Sequence, residues 1–575
     1  MKKALIQFIS ILSFNQKKKL IFLIFLSTIG SVLELIGLGL LVPIIATLSN
    51  PEIVNISHIN KIFDYFFFNN SQFSENKLFF LLIFFGIFFL LKTLFLTYVS
   101  KIASQYSSNL YSDISGRIFK NYLYQEYSFY ISRSSSQLIQ NATNEVNNLV
   151  NIFFASFFIL FSETLILFAI GLILILLNPL TFFFALIVFS FFLIIFFLIL
   201  KNSLKKLGYA RQDHQISSIR YIQEGIKNIK DLKIYGIESK FYDYFLHEAK
   251  EYSRIEQNII FLSAIPKYYI ELVSILIFIS IFYLLSILNV SNNDAIIIIG
   301  ILGASALKIL PSINRILNSL IKIKYSLSSA RVISKEILLN KNIRKNYFLE
   351  NFKINKNLIL KNISFKYNNN NFLLNKINLT IPMGKIIGII GNSGSGKTTL
   401  VDLILGLLKP SKGRILLNKK DIFKNLRSWQ NNIGYVQQFC YFIEDTIKKN
   451  IALGAKENFI DDNKIHKYIK IVGLNKIVEK LSKNIETPIS ELGNNFSGGQ
   501  KQRLSIARAL YTDPQILVLD EATNSLDDRS EETIIKNIIK LKKNKTLIII
   551  THKKELIKYC DVVFKVENGN VKKFK

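Results

Sequence analysis

Long apolar stretches in the first part of the chain limit its fold more than any other feature of the sequence. A helix needs about 20 consecutive apolar residues to cross a bilayer, and six stretches before residue 320 meet that length. The first stretch is too long to be the apolar core of a cleaved signal peptide. The sequence therefore predicts a membrane domain of six transmembrane helices. The stretches run from Leu20 to Leu48, Leu78 to Val99, Leu149 to Leu177, Pro179 to Leu200, Ile259 to Leu288 and Ala295 to Leu317.

The distribution of lysine and arginine predicts how these helices are oriented. Positive residues are enriched in the cytoplasmic loops of membrane proteins. They cluster at the N-terminus and in the segments 101–148 and 201–257, whereas the short connections around Pro179 and before Ile296 contain none. We therefore expect the N- and C-termini of this multi-pass protein to lie in the cytoplasm.

The two cytoplasmic connections are far longer than the 2–8 residues that usually link helices. Both contain helix-compatible sequence with few prolines. We expect the membrane helices to extend well into the cytoplasm, with each pair joined by a short turn helix. These turns are predicted near Tyr127–Ser136 and near Gly225–Glu238. The alternative for both segments is an ordinary amphipathic surface helix.

Charged residues lie within the apolar stretches, where a charge is energetically costly. A lysine that faces lipid near the bilayer centre costs about 2.5–3.5 kcal/mol on insertion scales. Such residues line a watery cavity, pair with each other, or extend their charged ends to the interface. The three lysines are candidates for a substrate cavity, and pairing or interfacial placement remains the alternative for Lys92 and Lys308. The charged residues are Lys92, Lys267, Lys308, Glu34, Glu163 and Glu271.

The net charge of +32 could indicate a nucleic-acid or anionic-lipid partner. However, lysine, asparagine, isoleucine and phenylalanine are all abundant together, as a compositionally biased genome would produce. The sequence also lacks an arginine-rich cluster with interleaved aromatic residues. We therefore expect no nucleic-acid partner.

The two cysteines, Cys440 and Cys560, both lie in the more polar C-terminal part and indicate no disulfide framework.

A glycine-rich stretch, GNSGSGKTTL, follows the apolar run Ile386–Ile390 and precedes a helix-compatible segment. This is the context that the G-x-x-x-x-G-K-[ST] phosphate-binding loop requires. Its backbone N–H groups can surround phosphate oxygens, the lysine can neutralise the β- and γ-phosphates, and the following hydroxyl can bind Mg²⁺. The predicted nucleotide-binding residues are Gly391, Asn392, Ser393, Gly394, Ser395, Gly396, Lys397, Thr398 and Thr399.

A second apolar run, Ile516–Leu519, ends in the acidic pair Asp520 and Glu521. An acid at the end of a strand beside a phosphate loop can hold the water shell of Mg²⁺. The carboxylate that follows it can orient or deprotonate the attacking water. We therefore predict that Asp520 contributes to a Mg²⁺ site and that Glu521 is a catalytic base.

The stretch NNFSGGQKQRLSIARAL resembles the signature of ATP-binding cassette (ABC) proteins, usually written L-S-G-G-Q. Phe496 replaces the leucine, which exchanges one apolar side chain for another. A serine and two glycines that open a helix form a further phosphate cradle. The resemblance therefore assigns ATP contacts to Ser497, Gly498, Gly499 and Gln500.

The resemblance implies roles for further positions of this sequence. Tyr367 matches the aromatic residue that stacks on adenine, and Asp527 matches the aspartate of the loop after the catalytic acid. Gln438 matches the glutamine that contacts metal and water, with the neighbouring Gln437 as the alternative. His552, after another apolar run, matches the histidine that reaches the γ-phosphate.

The resemblance covers nearly the whole chain and is to ABC exporters of the half-transporter type (type IV fold). It implies a helical membrane domain of six transmembrane helices in residues 1–325, a linker in 326–353, and an α/β P-loop ATP-binding cassette domain in 354–575. It also implies ATP and Mg²⁺ as cofactors and ATP hydrolysis coupled to transport. Because the chain has a single cassette, a homodimer in the bacterial inner membrane is expected.

The expected substrate is inferred from a resemblance that is less specific than that of the ATP-binding motifs. The stretch ELIGLGLLVPIIATLSN and the outer connection after it resemble the start of bacterial lipid-linked oligosaccharide flippases of the PglK type, as does YIQEGIKNIKDLKIYG. This implies a polyprenyl-diphosphate glycan as the substrate, in contact with membrane lipid. Export of a drug, another lipid or a peptide is the alternative. An ATP-driven regulator or channel without a transported substrate is the alternative from another class.

Overall fold

A computed structural model describes residues 2–40, 77–177, 179–287, 292–339, 357–367, 372–490, 496–522, 527–540 and 545–575. Backbone contacts divide the chain into two units. The N-terminal unit comprises Met1–Gln125 and Tyr130–Ile343, and the C-terminal unit comprises Glu126–Phe129 and Arg344–Lys575. The outer connection predicted between the first two spans lies outside the described residues.

The N-terminal unit is built from helices. A π-helical segment, Asn148–Phe154, joins α6 to α7. The helices are α1 (Lys2–Ile11), α2 (Phe14–Gly39), α3 (Lys77–Leu123), α4 (Tyr127–Ile131, whose first residues fall in the C-terminal unit), α5 (Ser135–Ala142), α6 (Asn144–Asn147), α7 (Ala155–Leu177), α8 (Pro179–Lys227), α9 (Ile229–Tyr235), α10 (Glu238–Ile287), α11 (Asn292–Tyr325) and α12 (Leu327–Leu338).

Each of the six predicted membrane stretches is helical in its described part, in α2, α3, α7, α8, α10 and α11, with the start of the third in the π-helical segment Asn148–Phe154. The ends of the first and fifth stretches, at 41–48 and 288, lie outside the described residues. By length and composition, four segments of the described chain can cross a membrane: Phe14–Gly37, Leu82–Leu123, Ser135–Leu172 and Glu238–Tyr283. The protein is a multi-pass membrane protein.

Three helices are much longer than a bilayer requires. α3, α8 and α10 contain 47, 49 and 50 residues, so each is about 70 Å long at 1.5 Å per residue. The hydrocarbon core of a bilayer is about 30 Å thick. These lengths leave room for the predicted extensions beyond the membrane, which stay a prediction. The short helices α4 and α9 lie at the two predicted turns.

Helix α12 lies where the sequence predicted a linker that begins at residue 326. Its apolar residues Leu327, Ala330 and Ile333 recur at helical spacing and are buried. Glu336 at its other end forms an ion pair with Arg133, at 2.9 Å between Oε1 and Nη1. Because this face packs within the N-terminal unit, residues 327–338 belong to that unit rather than to a linker.

A buried polar cluster holds several of these helices together. The Glu145 carboxylate accepts hydrogen bonds from Arg211 Nη2 at 2.9 Å, Gln212 Nε2 at 2.6 Å and Gln140 Nε2 at 3.0 Å. Arg211 Nη2 also donates to Ser329 Oγ at 3.0 Å. The cluster joins α5, α6, α8 and α12, which are separated in sequence.

We expect Glu145→Ala to destabilise the protein strongly, because it leaves the buried Arg211 guanidinium without its carboxylate. Breaking a buried ion pair in this way costs about 3–5 kcal/mol. The measurement is the midpoint of thermal unfolding of the detergent-solubilised protein. Glu251→Ala is the control, because Glu251 pairs with Arg254 on an exposed surface and such pairs contribute about 1 kcal/mol or less. Equal midpoints for the two variants would contradict the role of the cluster.

The C-terminal unit is an α/β domain. Its strands are β1 (Leu358–Phe365), β2 (Leu374–Ile381), β3 (Ile386–Gly391), β4 (Lys412–Leu417), β5 (Lys420–Asp421), β6 (Ile433–Val436), β7 (Asp445–Thr446), β8 (Pro488–Ile489), β9 (Ile516–Asp520), β10 (Thr546–Ile550), β11 (Val562–Glu567) and β12 (Asn570–Lys573). Its helices are α13 (Lys397–Ile404), α14 (Leu426–Gln430), α15 (Ile447–Ile451), α16 (Asp462–Ile471), α17 (Asn475–Glu479), α18 (Gly498–Tyr511), α19 (Asp528–Lys540) and α20 (Lys554–Ile557).

The central sheet has the strand order β12-β11-β3-β10-β9-β6. All neighbouring pairs from β11 to β6 are parallel, and their buried apolar runs are typical of a sheet covered on both faces. The second sheet, β2-β1-β4-β5, is antiparallel. Because carboxyl ends of parallel strands meet at one edge, the residues that follow β3, β9 and β10 lie together. The candidate site lies at that edge.

Candidate functional site

The glycine-rich loop runs from the end of β3 into the first turn of α13. Gly396, immediately before α13, has φ +101°, in the left-handed region that favours glycine. A Cβ atom at Gly391 would lie 2.3 Å from the carbonyl oxygen of Val566 on the neighbouring strand. Both of these positions in the predicted loop Gly391–Thr399 therefore require glycine.

The side chain of Lys397 folds back over this loop. Its Nζ donates to the carbonyl oxygens of Gly391 and Asn392, both at 2.9 Å. Burial lowers the pKa of Lys397, while the charges of Glu521 and Asp520 act in the opposite direction. Among the described residues, Ser395 Oγ is buried without a hydrogen-bond partner. A buried hydroxyl and a lysine at the loop fit the oxygens of a bound phosphate chain.

The acidic pair lies beside the loop, at the end of β9. Glu521 Oε2 accepts a hydrogen bond from Gln438 Nε2 at 2.9 Å, and its Oε1 lies 3.3 Å from His552 Nε2. Glu521 itself has φ +47°, and its N–H donates to Ile550 O on β10. The structure therefore brings two other predicted site residues, Gln438 and His552, to the carboxylate of Glu521.

Asp520 is buried at the carboxyl end of β9. Burial raises its pKa, and a hydrogen bond from Tyr435 Oη to Oδ2, at 3.1 Å, opposes this shift. Thr398, in the first turn of α13, and Gln438 are exposed. The described residues contain no cluster of three histidine, cysteine or acidic side chains that could hold a metal by themselves. One carboxylate, a hydroxyl and an amide fit Mg²⁺, which usually retains waters and binds substrate phosphates.

The predicted adenine contact lies close to the loop. Tyr367 Oη is 3.2 Å from Thr399 Oγ1, and its ring meets the Phe365 ring edge-on with centroids 4.9 Å apart. Phe365 is the last residue of β1 and is buried. The edge contact therefore holds Tyr367 next to the glycine-rich loop.

The signature stretch opens helix α18. Ser497 Oγ accepts from Gln500 N at 3.3 Å, while Gln500 Oε1 accepts from Ser497 N at 2.9 Å, which forms a capping box. Phe496 is buried, as its apolar replacement of leucine suggests, whereas Ser497 and Gly498 are exposed and Gly499 is half-buried. The helix N-terminus, with its favourable dipole for anions, is thus open to a ligand.

Asp527 precedes α19 and is exposed. Its Oδ2 accepts a hydrogen bond from Ser530 N at 3.0 Å, and hydrogen bonds with Ser530 lower the pKa of Asp527. The loop between Glu521 and Asp527 lies largely outside the described residues.

Two residues near the acidic pair were missed by the sequence analysis. Tyr435, on β6, donates to Asp520, and Asp402, on α13, is a buried carboxylate. Burial, with a contribution from the charge of Asp520, raises the pKa of Asp402 to about 6. Tyr435 lies in the stretch IGYVQQ, three residues before Gln438, which was the available signal for it.

The three candidate cavity lysines have different surroundings. Glu34 on α2 pairs with Lys92 of α3 at 3.1 Å and with Lys308 of α11 at 2.9 Å. The side chain of Lys92 is 7% exposed and that of Lys308 is 28% exposed. Lys267, on α10, is exposed, with Nζ 6.0 Å from the centroid of the Tyr268 ring. Lys92 and Lys308 thus share one carboxylate, as in the predicted alternative in which the charged residues pair with each other. Lys308 is still partly exposed and Lys267 is exposed.

Comparisons with known proteins assign both units to one family. Residues 19–304 match the family described as the ABC transporter transmembrane region. Residues 374–524 match the family described as ABC transporter. The chain belongs to the ABC transporter family. Its helical transmembrane domain is followed by an α/β ABC domain.

Several curated ABC proteins are similar to this chain over part of its length. A Rickettsia typhi protein named as an export ATP-binding/permease protein is 38% identical over 232 residues, which cover 40% of each chain. An ATP-dependent lipid A-core flippase of Saccharophagus degradans is 31% identical over 357 residues, 60% of this chain and 58% of the flippase. The α-hemolysin translocation ATP-binding protein HlyB of Escherichia coli is 36% identical over 220 residues, 38% of this chain and 31% of HlyB.

The fold of this ABC protein is similar to that of a solved exporter. A bacterial Atm1-family ABC exporter with ATP bound aligns with a TM-score of 0.78 and 18% sequence identity. The alignment covers 96% of this chain and 94% of the exporter. At this identity the similarity establishes the fold.

Proposed function

We propose that the protein is an ATP-driven exporter of the bacterial inner membrane that moves its substrate by hydrolysing ATP in a homodimer. The observation that supports this most directly is the position of Glu521, whose two oxygens contact Gln438 and His552 beside the glycine-rich loop. A carboxylate held in this way can orient or deprotonate water for attack on a γ-phosphate.

Each ATP would lie between two copies of the chain. Lys397 of one copy neutralises the β- and γ-phosphates, and Ser497 and Gly499 of the other copy contact the same phosphates from the exposed start of α18. ATP then favours the closed pair because both surfaces contact its charge in that state. Hydrolysis at Glu521 removes the bridging phosphate and releases the pair.

Bound Mg²⁺ would spread the charge that develops on the phosphates during hydrolysis. Thr398, Asp520 and Gln438 are the residues that would hold it. Tyr367 orients the adenine by stacking, and Asp527 contributes from the loop before α19. His552 contacts Glu521 Oε1 and limits the rotation of that carboxylate.

We further propose that the cargo is a polyprenyl-diphosphate-linked oligosaccharide, which the protein flips across the membrane. The alignment with the lipid A-core flippase is 357 residues long. It is longer than the C-terminal unit, which starts at Arg344, so it extends into the membrane unit. Glu34 offers one negative charge to both Lys92 and Lys308. The cluster therefore keeps an excess positive charge that suits an anionic diphosphate, and Lys267 adds a further accessible cation.

We expect the purified protein in proteoliposomes to flip a fluorescent polyprenyl-diphosphate glycan when ATP and Mg²⁺ are supplied. The measurement is the fraction of the glycan that a membrane-impermeant enzyme can cleave, before and after ATP addition. Liposomes with the Glu521→Gln variant are the matched control, because they contain the same membrane helices. A glycan on a polyprenyl monophosphate tests whether the diphosphate is recognised.

The assay also separates this cargo from the other candidates. The similarity to HlyB, a protein named for α-hemolysin translocation, favours export of a peptide as the second candidate. ATP-dependent accumulation of a peptide or dye, without movement of the glycan, would reject the flippase proposal. ATP hydrolysis without vectorial movement of any of these substrates would reject the flippase proposal and favour a regulator.

A further inference from the structure

The carboxyl end of strand β6 contacts both acidic residues of the candidate site. Tyr435 Oη donates to Asp520 Oδ2 at 3.1 Å, and Gln438 Nε2 donates to Glu521 Oε2 at 2.9 Å. Tyr435 lies within β6, whereas Gln438 follows the strand by two residues. The same short segment therefore supplies one hydrogen-bond donor to each carboxylate.

The register of the sheet explains why the phenol reaches Asp520. Strands β6 and β9 are parallel neighbours, and Tyr435 pairs with Val518. Side chains two residues apart on a strand lie on the same face of the sheet. Asp520 is two residues beyond Val518, so its side chain lies on the face that Tyr435 shares.

The bond to Asp520 has the properties of a positioning contact. Asp520 is 6% exposed, and an ionised carboxylate at that depth needs hydrogen-bond donors. The phenol engages Oδ2 and leaves Oδ1 for another partner. The Tyr435 side chain is half-buried, at the strand end that forms the site edge. A rigid strand thus fixes the donor, whereas the carboxylate would otherwise rotate about χ2.

We infer that Tyr435 is a positioning residue for Mg²⁺: its hydroxyl fixes the orientation in which Asp520 presents a carboxylate oxygen to the metal and its waters. This inference rests on the proposed ATP hydrolysis. It gives the β6 segment two roles: Tyr435 orients the carboxylate that binds the metal, and Gln438 contacts the carboxylate that activates water. Partners that orient metal-binding carboxylates typically change metal affinity or activity about 10- to 100-fold when they are removed.

The test is Tyr435→Phe in the full-length protein, which removes the hydroxyl and keeps the ring. The matched control is Tyr559→Phe, because the Tyr559 hydroxyl donates to a carboxylate oxygen of Glu532 at 2.7 Å on an exposed surface. Binding of a fluorescent ATP analogue is measured in EDTA and then across a Mg²⁺ titration. The Mg²⁺ dependence of ATP hydrolysis is measured in parallel, and Mn²⁺ bound with the nucleotide is counted by electron paramagnetic resonance.

We expect Tyr435→Phe to raise the half-saturating Mg²⁺ concentration about 10-fold and to weaken Mn²⁺ binding by a similar factor. Nucleotide affinity in EDTA should stay unchanged, and the hydrolysis rate should approach that of the unmodified protein at saturating Mg²⁺. Tyr559→Phe should leave every quantity unchanged.

Three results would overturn the inference. They are an unchanged Mg²⁺ dependence, an equal shift in both variants, or a loss of nucleotide binding in EDTA, which would indicate a structural role for Tyr435. The Mg²⁺-dependent binding curves do not require turnover. A protein that binds the nucleotide with Mg²⁺ but neither hydrolyses it nor transports would refute the proposed function and leave the result for Tyr435 standing.

Discussion

Glu521→Gln is expected to lower the rate of ATP hydrolysis about 10²- to 10⁴-fold, because it removes the group that accepts the proton of the attacking water. Glutamine keeps the size of the side chain and can still contact Gln438 and His552. We therefore expect ATP affinity to stay within about threefold of the original value, a change below 1 kcal/mol. Phosphate release and nucleotide binding by the full-length protein measure the two quantities.

The same variant tests the homodimer. If ATP joins two copies and hydrolysis separates them, Glu521→Gln should retain one ATP per chain in a species of twice the chain mass. Glu532→Gln is the control, since Glu532 is an exposed acid on α19. Native turnover in Glu521→Gln would exclude Glu521 as the base. Normal hydrolysis by a strictly monomeric protein would refute the shared site.

Lys397→Ala is expected to weaken ATP binding strongly and, with it, to lower the rate of hydrolysis. The lysine ammonium lies over the loop that would hold the phosphates, where it contacts the carbonyl oxygens of Gly391 and Asn392. Truncating one partner of a buried, hydrogen-bonded charge pair typically costs about 2–5 kcal/mol of binding free energy. That range corresponds to roughly a 30- to 4,000-fold loss of affinity.

The control for this experiment is Lys385→Ala, which removes an exposed lysine just before β3. Both variants lower the net charge equally, so a non-specific electrostatic effect on the anionic nucleotide would appear in both. Isothermal titration with ATP measures the affinity, and thermal unfolding of each variant checks that the fold is intact. Equal ATP affinity in the two variants would refute the assigned role of Lys397.

Features that depend on local sequence could be predicted. The six apolar stretches are long enough to fix a helix by themselves, and α4 and α9 occur at the predicted turns because the flanking helices must reverse there. The glycine-rich loop was recognisable because its glycines meet a local backbone need, as at Gly396 with φ +101°. The strand before it and the acids after β9 follow from buried apolar runs.

Features that depend on contacts between distant segments were not available from the sequence. The bond from Tyr435 to Asp520 requires the register of β6 against β9. The shared carboxylate of Glu34 requires the relative rotation of three helices. The sequence predicted a linker at helix α12 because the composition of this segment is mixed and polar. Its buried face, which includes Leu327, Ala330 and Ile333, is evident only from the packing in the structure.

The ion pairs of Glu34 have a consequence for how the protein is made. Glu34 lies in the first apolar stretch, Lys92 in the second and Lys308 in the last, 274 positions after Glu34. During synthesis Glu34 can be neutralised as soon as the second helix enters the bilayer, but Lys308 needs a carboxylate that was inserted long before it. Helix α11 therefore docks against the carboxylate of Glu34, which is already in the membrane. The last membrane helix to be made thus completes the bundle by pairing with the first.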